Sequence, residues 1–269
     1  MDNFIVTTAR KPTPDVEKLA EEISLELGGK LVTRGDFSFD ALKKFHGAQN
    51  ILLVKKNSLS VVTSDGELFF HPNTAHLRIK NLRTGDGDRL VDALKISGGS
   101  KILDCTLGLG SDAIVESFVA GATGKVVALE INPLVAEIVR HGMKNFSDDS
   151  PHILEAMRRV EVLNVAAENF LPTCVENSFD VIYFDPMFRR PVGKSSGLQP
   201  LRPLADNRPL TPEIIREACR VAKFRVVMKE HSGSTEFERL GFKVVDGGKY
   251  SSIKFGVIKL FTCTGIDKQ

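Results

Sequence analysis

The chain has 269 residues, of which 42% are hydrophobic and 26% charged, with a formal net charge of +2. That balance excludes an extended disordered or fibrous chain and leaves one large or two small globular domains. The four cysteines, Cys105, Cys174, Cys219 and Cys263, are scattered and form no C-x-x-C pair, so neither a zinc centre nor a disulfide framework is expected. No run of about 18 apolar residues occurs, and the opening MDNFIVTTARKP is not a secretory leader. A cytoplasmic, membrane-free and metal-free protein is the expectation.

Phe4 to Thr8 reads as a strand, and Pro14-Asp15 opens an amphipathic helix that Gly28-Gly29 stops. Leu31-Val32 begins a second strand, Ser38 to Phe45 a helix, and Asn50 to Lys55 a strong strand. Leu59 to Thr63 and Leu68 to Phe70 are joined by Ser64-Asp65-Gly66, a hairpin turn. Asn81 to Gly87 is polar and glycine-rich, which places a boundary near residue 84: an N-terminal α/β module over 1–84 and a second unit over 85–269. Asp88 to Ile96 is a helix leading into that unit.

Lys101 to Pro133 organises the rest. An apolar strand (Lys101 to Asp104) runs into a glycine turn (Gly108 to Gly110), then a helix from Ser111, a second strand (Val126 to Leu129) and an acid, Glu130. Such a unit brings backbone N–H groups close to a nucleotide-like ligand, and an acid about 20 residues beyond the turn can accept a ribose diol. The turn alone fits several cofactors, since Ala113 can stand where a dinucleotide site has its third glycine. Asp104 separates them: a carboxylate at the strand end would confront a pyrophosphate but suits a cationic methionine group. Asp-x-x-x-G-x-G followed by strand and acid resembles the first two motifs of class I methyltransferases dependent on S-adenosylmethionine (SAM). The resemblance implies a Rossmann-like α/β fold, a seven-stranded, mostly parallel sheet with an antiparallel final strand.

Pro133 starts a helix, Pro151 to Arg158 is another, and Val160 to Leu163 a third strand, followed by Ala166 and Ala167 as candidates for the adenine contact. Phe179 to Phe184 is a continuous apolar run of the kind buried in a parallel sheet. It ends in Asp185-Pro186-Met187-Phe188, where ligands bind. Methyltransferases of exocyclic amines carry a similar tetrapeptide. A conjugated amine is a poor nucleophile; Asp185 and the Pro186 carbonyl can accept its two protons while Phe188 stacks on the base. Arg189 to Arg208 is aperiodic, and Arg189, Arg190, Lys194, Arg202 and Arg208 suit phosphate contacts. Thr211-Pro212 cap a helix, Arg225 to Lys229 is a strand whose Lys229 could meet a phosphate or cover the sheet edge, and two final strands close the sheet.

DCTLGLGSDA, LEINP, YFDPMF and RVVMK stand in the order of the RsmJ family, methyltransferases of guanine exocyclic amines in small-subunit ribosomal RNA, and residues 70–230 resemble it. The resemblance implies SAM contacts at Ser111, Asp112, Glu130, Ile131 and Asp185, with Ala166 and Ala167 as weaker counterparts. Ser111 and Ile131 replace basic residues usual in that family, and Arg189-Arg190-Pro191 replaces Pro-His-Lys. TTARKPTPDVEKLAEEI, then Arg34-Gly35, a strong strand and NTAHLRIKN stand in an order similar to Brix-domain proteins of ribosome assembly, with Pro72-Asn73 in place of their Gly-Pro. This resemblance of the first 80 residues implies RNA contact through Arg10, Lys11, Arg34, Arg78 and Lys80. The reading is a SAM-dependent methyltransferase acting on guanine N2 of ribosomal RNA. Its alternatives are a protein-amide or small-molecule amine methyltransferase, and a non-catalytic RNA-binding assembly factor.

Overall fold

Residues 3–148, 150–186, 196–245 and 251–260 are described in the computed structural model. β1 (Phe4–Thr8), β2 (Lys30–Leu31), β3 (Asn50–Val54), β4 (Leu59–Val62) and β5 (Glu67–Phe69) form a five-stranded sheet in the order β2-β1-β3-β4-β5. β1 pairs in parallel with both β2 and β3, so each connection needs a crossover helix. These are α1 (Pro14–Leu27) and α2 (Phe39–His46). Covered in this way, β3 is buried along its whole length. Ser38 starts α2 by accepting the N–H of Ala41 on its hydroxyl. β4 and β5 complete the sheet as an antiparallel hairpin.

Residues 73–83, which the sequence reading left without an assigned element, form α3 (Asn73–Arg83). Ala75, Ile79 and Leu82 recur at helical spacing and pack into the core, so packing supports a helix with few other helix signals. α4 (Arg89–Leu94) follows, capped by Asp88, whose Oδ1 accepts the N–H groups of Leu90 and Val91.

The larger sheet contains β6 (Lys101–Asp104), β7 (Lys125–Leu129), β8 (Val160–Leu163), β9 (Phe179–Phe184), β10 (Ala222–His231), β11 (Lys243–Val245) and β12 (Ile253–Lys259). Their order is β11-β12-β10-β9-β6-β7-β8. The pairs from β8 to β10 are parallel, and β12 runs antiparallel to both neighbours, the expected Rossmann-like sheet. α5 (Ser111–Ala120), α6 (Pro133–Asn145), α7 (Pro151–Arg159), the short α8 (Ala167–Phe170), α9 (Pro212–Val221) and α10 (Glu236–Arg239) surround it. β10 begins earlier than expected, at Ala222, because a register shift between Ala222 and Arg225 extends its pairing with β9. Ser196–Leu204, expected to lack structure, winds as a 3-10 stretch with Leu201 and Leu204 buried.

The two sheets share apolar packing: Val6, Leu52, Phe70, Ile102, Val139 and Val227 belong to one buried cluster. The tightest seam is at Gly142 on α6, where a Cβ would lie 2.3 Å from the Phe70 ring. No described helix is long and apolar enough to cross a membrane.

Candidate active site

The turn after β6 is pinned between its neighbours. Cys105 donates its N–H to the Tyr183 carbonyl on β9, and Leu107 donates to Leu129 on β7, both at 2.9 Å. Glu130 closes the turn from the end of β7: Oε2 accepts the Gly108 N–H at 3.1 Å and Oε1 the Asn132 N–H at 2.9 Å. Gly110 begins α5 at φ +78°, a backbone conformation that favours glycine, and a Cβ there would also displace the end of the Met143 side chain. The result is a cavity of about 430 Å³ at the carboxyl ends of β6, β7 and β9, a size suited to a small-molecule cofactor. Burial pushes Glu130 up to about 7 against the pull of its backbone donors.

A chain of ion pairs borders one end. Arg78 reaches from α3, donating from Nε and Nη2 to the two oxygens of Asp88 at 2.7 and 2.8 Å and from Nη1 to Asp112 Oδ1 at 2.5 Å. Asp112 Oδ2 also accepts the Tyr183 hydroxyl at 2.8 Å and Lys229 Nζ at 3.0 Å. Lys229 donates in turn to Asp185 Oδ2 at 2.6 Å. Burial disfavours the Asp112 carboxylate, but Lys229 and then Arg78 outweigh it and hold its pKa well below the ordinary value. At Asp185 burial wins over Lys229 and pushes the group up to about 6. Its main-chain N–H donates to Thr106 Oγ1 at 2.5 Å, which fixes the end of β9 to the turn after β6.

Two carboxyls lie behind this chain. Asp104 is fully buried; Oδ1 accepts the Thr106 N–H at 2.9 Å, while Oδ2 has no partner among the described residues. Burial pushes it up to about 8. Glu116, one turn beyond Asp112, is also fully buried, with neither oxygen partnered among the described residues, and burial holds its pKa well above the usual carboxylate range.

Gly108, Gly110, Ser111, Asp112, Glu130, Ile131, Ala166, Ala167, Asp185 and Pro186 all line this single cavity. Asp104 departs from the expectation of cofactor contact: it lies under the floor, because β6 buries its last residue before the turn opens. Lys229 borders the cavity but is paired to two carboxylates, so it serves the ion-pair chain instead of standing free for a phosphate. Arg78 is likewise held by Asp88 and Asp112 and is not a free RNA contact. Phe188, Arg189, Arg190 and Lys194 lie outside the described residues.

Sequence reasoning missed the roles of Thr106, Tyr183 and Asn132. Asn132 had a signal, standing just before a helix-starting proline: its Oδ1 accepts the Leu134 N–H, while its Nδ2 donates to the Leu204 carbonyl and ties the 3-10 stretch to the pocket. Tyr183 was hidden in an apolar run. Among the described residues no group of three or more metal-ligating side chains meets.

The cavity suits SAM. Glu130 keeps acceptor capacity for a ribose diol, Ile131, Ala166 and Ala167 supply small or apolar walls for an adenine, and Asp185 offers a carboxylate to a cationic group. The described cations lining the cavity, Arg78, Arg208 and Lys229, are matched to carboxylates, an arrangement poor for a pyrophosphate.

Comparison with known proteins agrees. Residues 41–244 match the family model described as "Putative SAM-dependent methyltransferase". YpiP of Bacillus subtilis is 39% identical over 95% of this chain and 99% of its own length. Ribosomal RNA small subunit methyltransferase J of Coxiella burnetii is 32% identical, covering 71% of this chain and 74% of its own. The crystal structure of the SAM-dependent methyltransferase NGO1261 from Neisseria gonorrhoeae shares the fold, with a TM-score of 0.59 at 20% identity over 94% of this chain and 95% of that one. The chain belongs to the SAM-dependent methyltransferase family, and it is an enzyme whose cofactor is S-adenosylmethionine.

Proposed function

We propose that the enzyme methylates an exocyclic amine of a nucleobase, guanine N2, in ribosomal RNA. The observation that carries this reading is Asp185-Pro186 at the carboxyl end of β9, bordering the same cavity as Glu130, with the main chain fixed through Thr106. The likeness to ribosomal RNA small subunit methyltransferase J supports the choice of RNA.

When bound, SAM supplies a methyl group on a sulfonium. The chain supplies what a weak nucleophile needs. Asp185 Oδ1 and the Pro186 carbonyl accept the two amine N–H groups, which turns the nitrogen lone pair towards the methyl carbon. Lys229 favours the carboxylate form of Asp185 against the cost of burial. In transfer from the sulfonium, the surplus amine proton would pass to Asp185 and on to solvent. Phe188 stacks on the base, and Arg189, Arg190 and Lys194 meet phosphates. In this reading residues 1–84 are the RNA-facing module, residues 85–269 the transferase unit, and the enzyme works in the cytoplasm.

Mass spectrometry of nucleosides from the host's ribosomal RNA, with and without the gene, tests it. One methylguanosine should disappear, return with the wild type and stay absent with Asp185→Ala, which should slow transfer about 10²–10⁴-fold while still binding SAM in calorimetry. An unchanged nucleoside profile would overturn the proposal.

A further inference from the structure

The smaller sheet reverses its strand order as well. Its parallel strands run β2-β1-β3, so the chain passes from β1 to one side through α1 and returns to the other through α2. In open α/β sheets ligands bind outside the carboxyl ends of the strands where the order reverses in this way. The connections at that edge carry cations: Arg10 and Lys11 after β1, Arg34 after β2, and Lys55 and Lys56 after β3. Lys55 is held by Glu67.

Arg34 is the unusual member. It is only 9% exposed, and its guanidinium lies 3.8 Å from the centre of the Phe39 ring. Among the described residues nothing accepts from its guanidinium, and Nη1 is sealed from solvent. The charged group that acts on it is Arg10, of the same sign; burial and then Arg10 lower its pKa. Asp36, the one acid in the 32–38 connection, forms no ion pair with it. A guanidinium stacked, largely buried and beside a second cation is costly unless an anion completes it. With Nη1 sealed, the edge left for a ligand is Nε and Nη2, a fork that matches two oxygens of a phosphate. Phe37, whose ring packs against Gly35, is 62% exposed and offers a face on which a base can stack.

We propose that Arg34, with Arg10 near it and the exposed Phe37 in the same connection, is a nucleotide-phosphate site that takes a phosphodiester of the RNA substrate. The site rests on the RNA reading above only for the source of its phosphate.

The test uses the full chain, a ribosomal RNA stem-loop, uridine monophosphate and inorganic phosphate, with wild type, Arg34→Met, Arg10→Ala and Phe37→Ala. Fluorescence anisotropy should show Arg34→Met binding RNA about 10-fold more weakly, with the slope of log affinity against log salt reduced by about one. SAM affinity should be unchanged. Inorganic phosphate at matched ionic strength should raise the melting midpoint of the wild type and not of Arg34→Met. Should Arg34→Met fail to fold, Arg10→Ala alters an exposed residue and should weaken RNA binding in the same sense, as should Phe37→Ala. Arg34-dependent binding of uridine monophosphate with indifferent RNA binding would keep the phosphate site and overturn its RNA source. Equal RNA affinity, equal salt slope and no Arg34-dependent phosphate shift would overturn the site. Arg34-dependent RNA binding beside an unchanged methylguanosine profile would leave the site standing and remove the proposed reaction.

Discussion

At the carboxyl edge of the larger sheet, Arg78, Arg208 and Lys229 all meet carboxylates. At the same edge of the smaller sheet, Arg34 meets an aromatic ring and the like charge of Arg10. Both edges follow the same topological rule, so the difference lies in side chains and not in backbone architecture. A pocket for a sulfonium cofactor needs fixed carboxylates, and fixing them in a buried place requires cations of the protein's own. An edge that receives anions leaves its cations open.

Three experiments break or sharpen that contrast. The largest effect belongs to Lys229. Lys229→Met leaves Asp112 with Arg78 and Tyr183 but strips Asp185 of its cation, so urea unfolding should show a loss of about 3–5 kcal/mol. The acid limb of the transfer rate should also move to higher pH, since Asp185 would no longer have Lys229 to favour its charged form. A variant as stable as wild type with an unmoved limb would mean that the pairing is incidental.

The second effect is on pH. Glu130, raised to about 7, and Asp104, raised to about 8, bind more protons folded than unfolded. Their contribution is therefore present below the unfolded carboxylate range and lost as pH rises through the folded values. Cofactor-free enzyme should lose stability from about pH 5 upward, by about 1.4 kcal/mol per pH unit for each of the two carboxyls until its folded value is passed, and Asp104→Asn should flatten the slope. Asp112 has the opposite sign, its contribution being lost only in acid, and stays ionised through this window. A flat profile in the wild type would show that Glu130 and Asp104 are hydrated and ionised.

The smallest effect concerns the seam. Gly142→Ala pushes a methyl into the Phe70 ring and should cost about 1–3 kcal/mol. If the transition stays single and both sheets melt together, the halves unfold as one unit. Two transitions would separate them.

Much of the larger sheet was legible because its signals are local: an apolar strand, a glycine turn, a helix and an acid in sequence order, then an apolar run ending in Asp185. The residues that line the cavity follow from that order. What was not legible depends on distance. Arg78 and Asp112 are 34 residues apart, Lys229 and Asp112 117 apart, and nothing in either neighbourhood announces the partner. Asp104 reads as a pocket residue because strand ends line pockets; its burial is decided by Thr106 and by neighbouring elements that fold over it. α3 was missed because only Ala75, Ile79 and Leu82 mark its inner face.

The ion-pair chain also sets an order of events during synthesis. Arg78 leaves the ribosome before its partner Asp112, while Asp185 must wait a further 44 residues for Lys229. A nascent chain that ends between them can form the glycine turn and the acidic end of β9, yet it carries Asp185 without its lysine. On the proposed reading, the methyl-transfer site is thus withheld until translation has passed β10, and an unfinished enzyme holds the parts of the pocket without the cation that pairs Asp185.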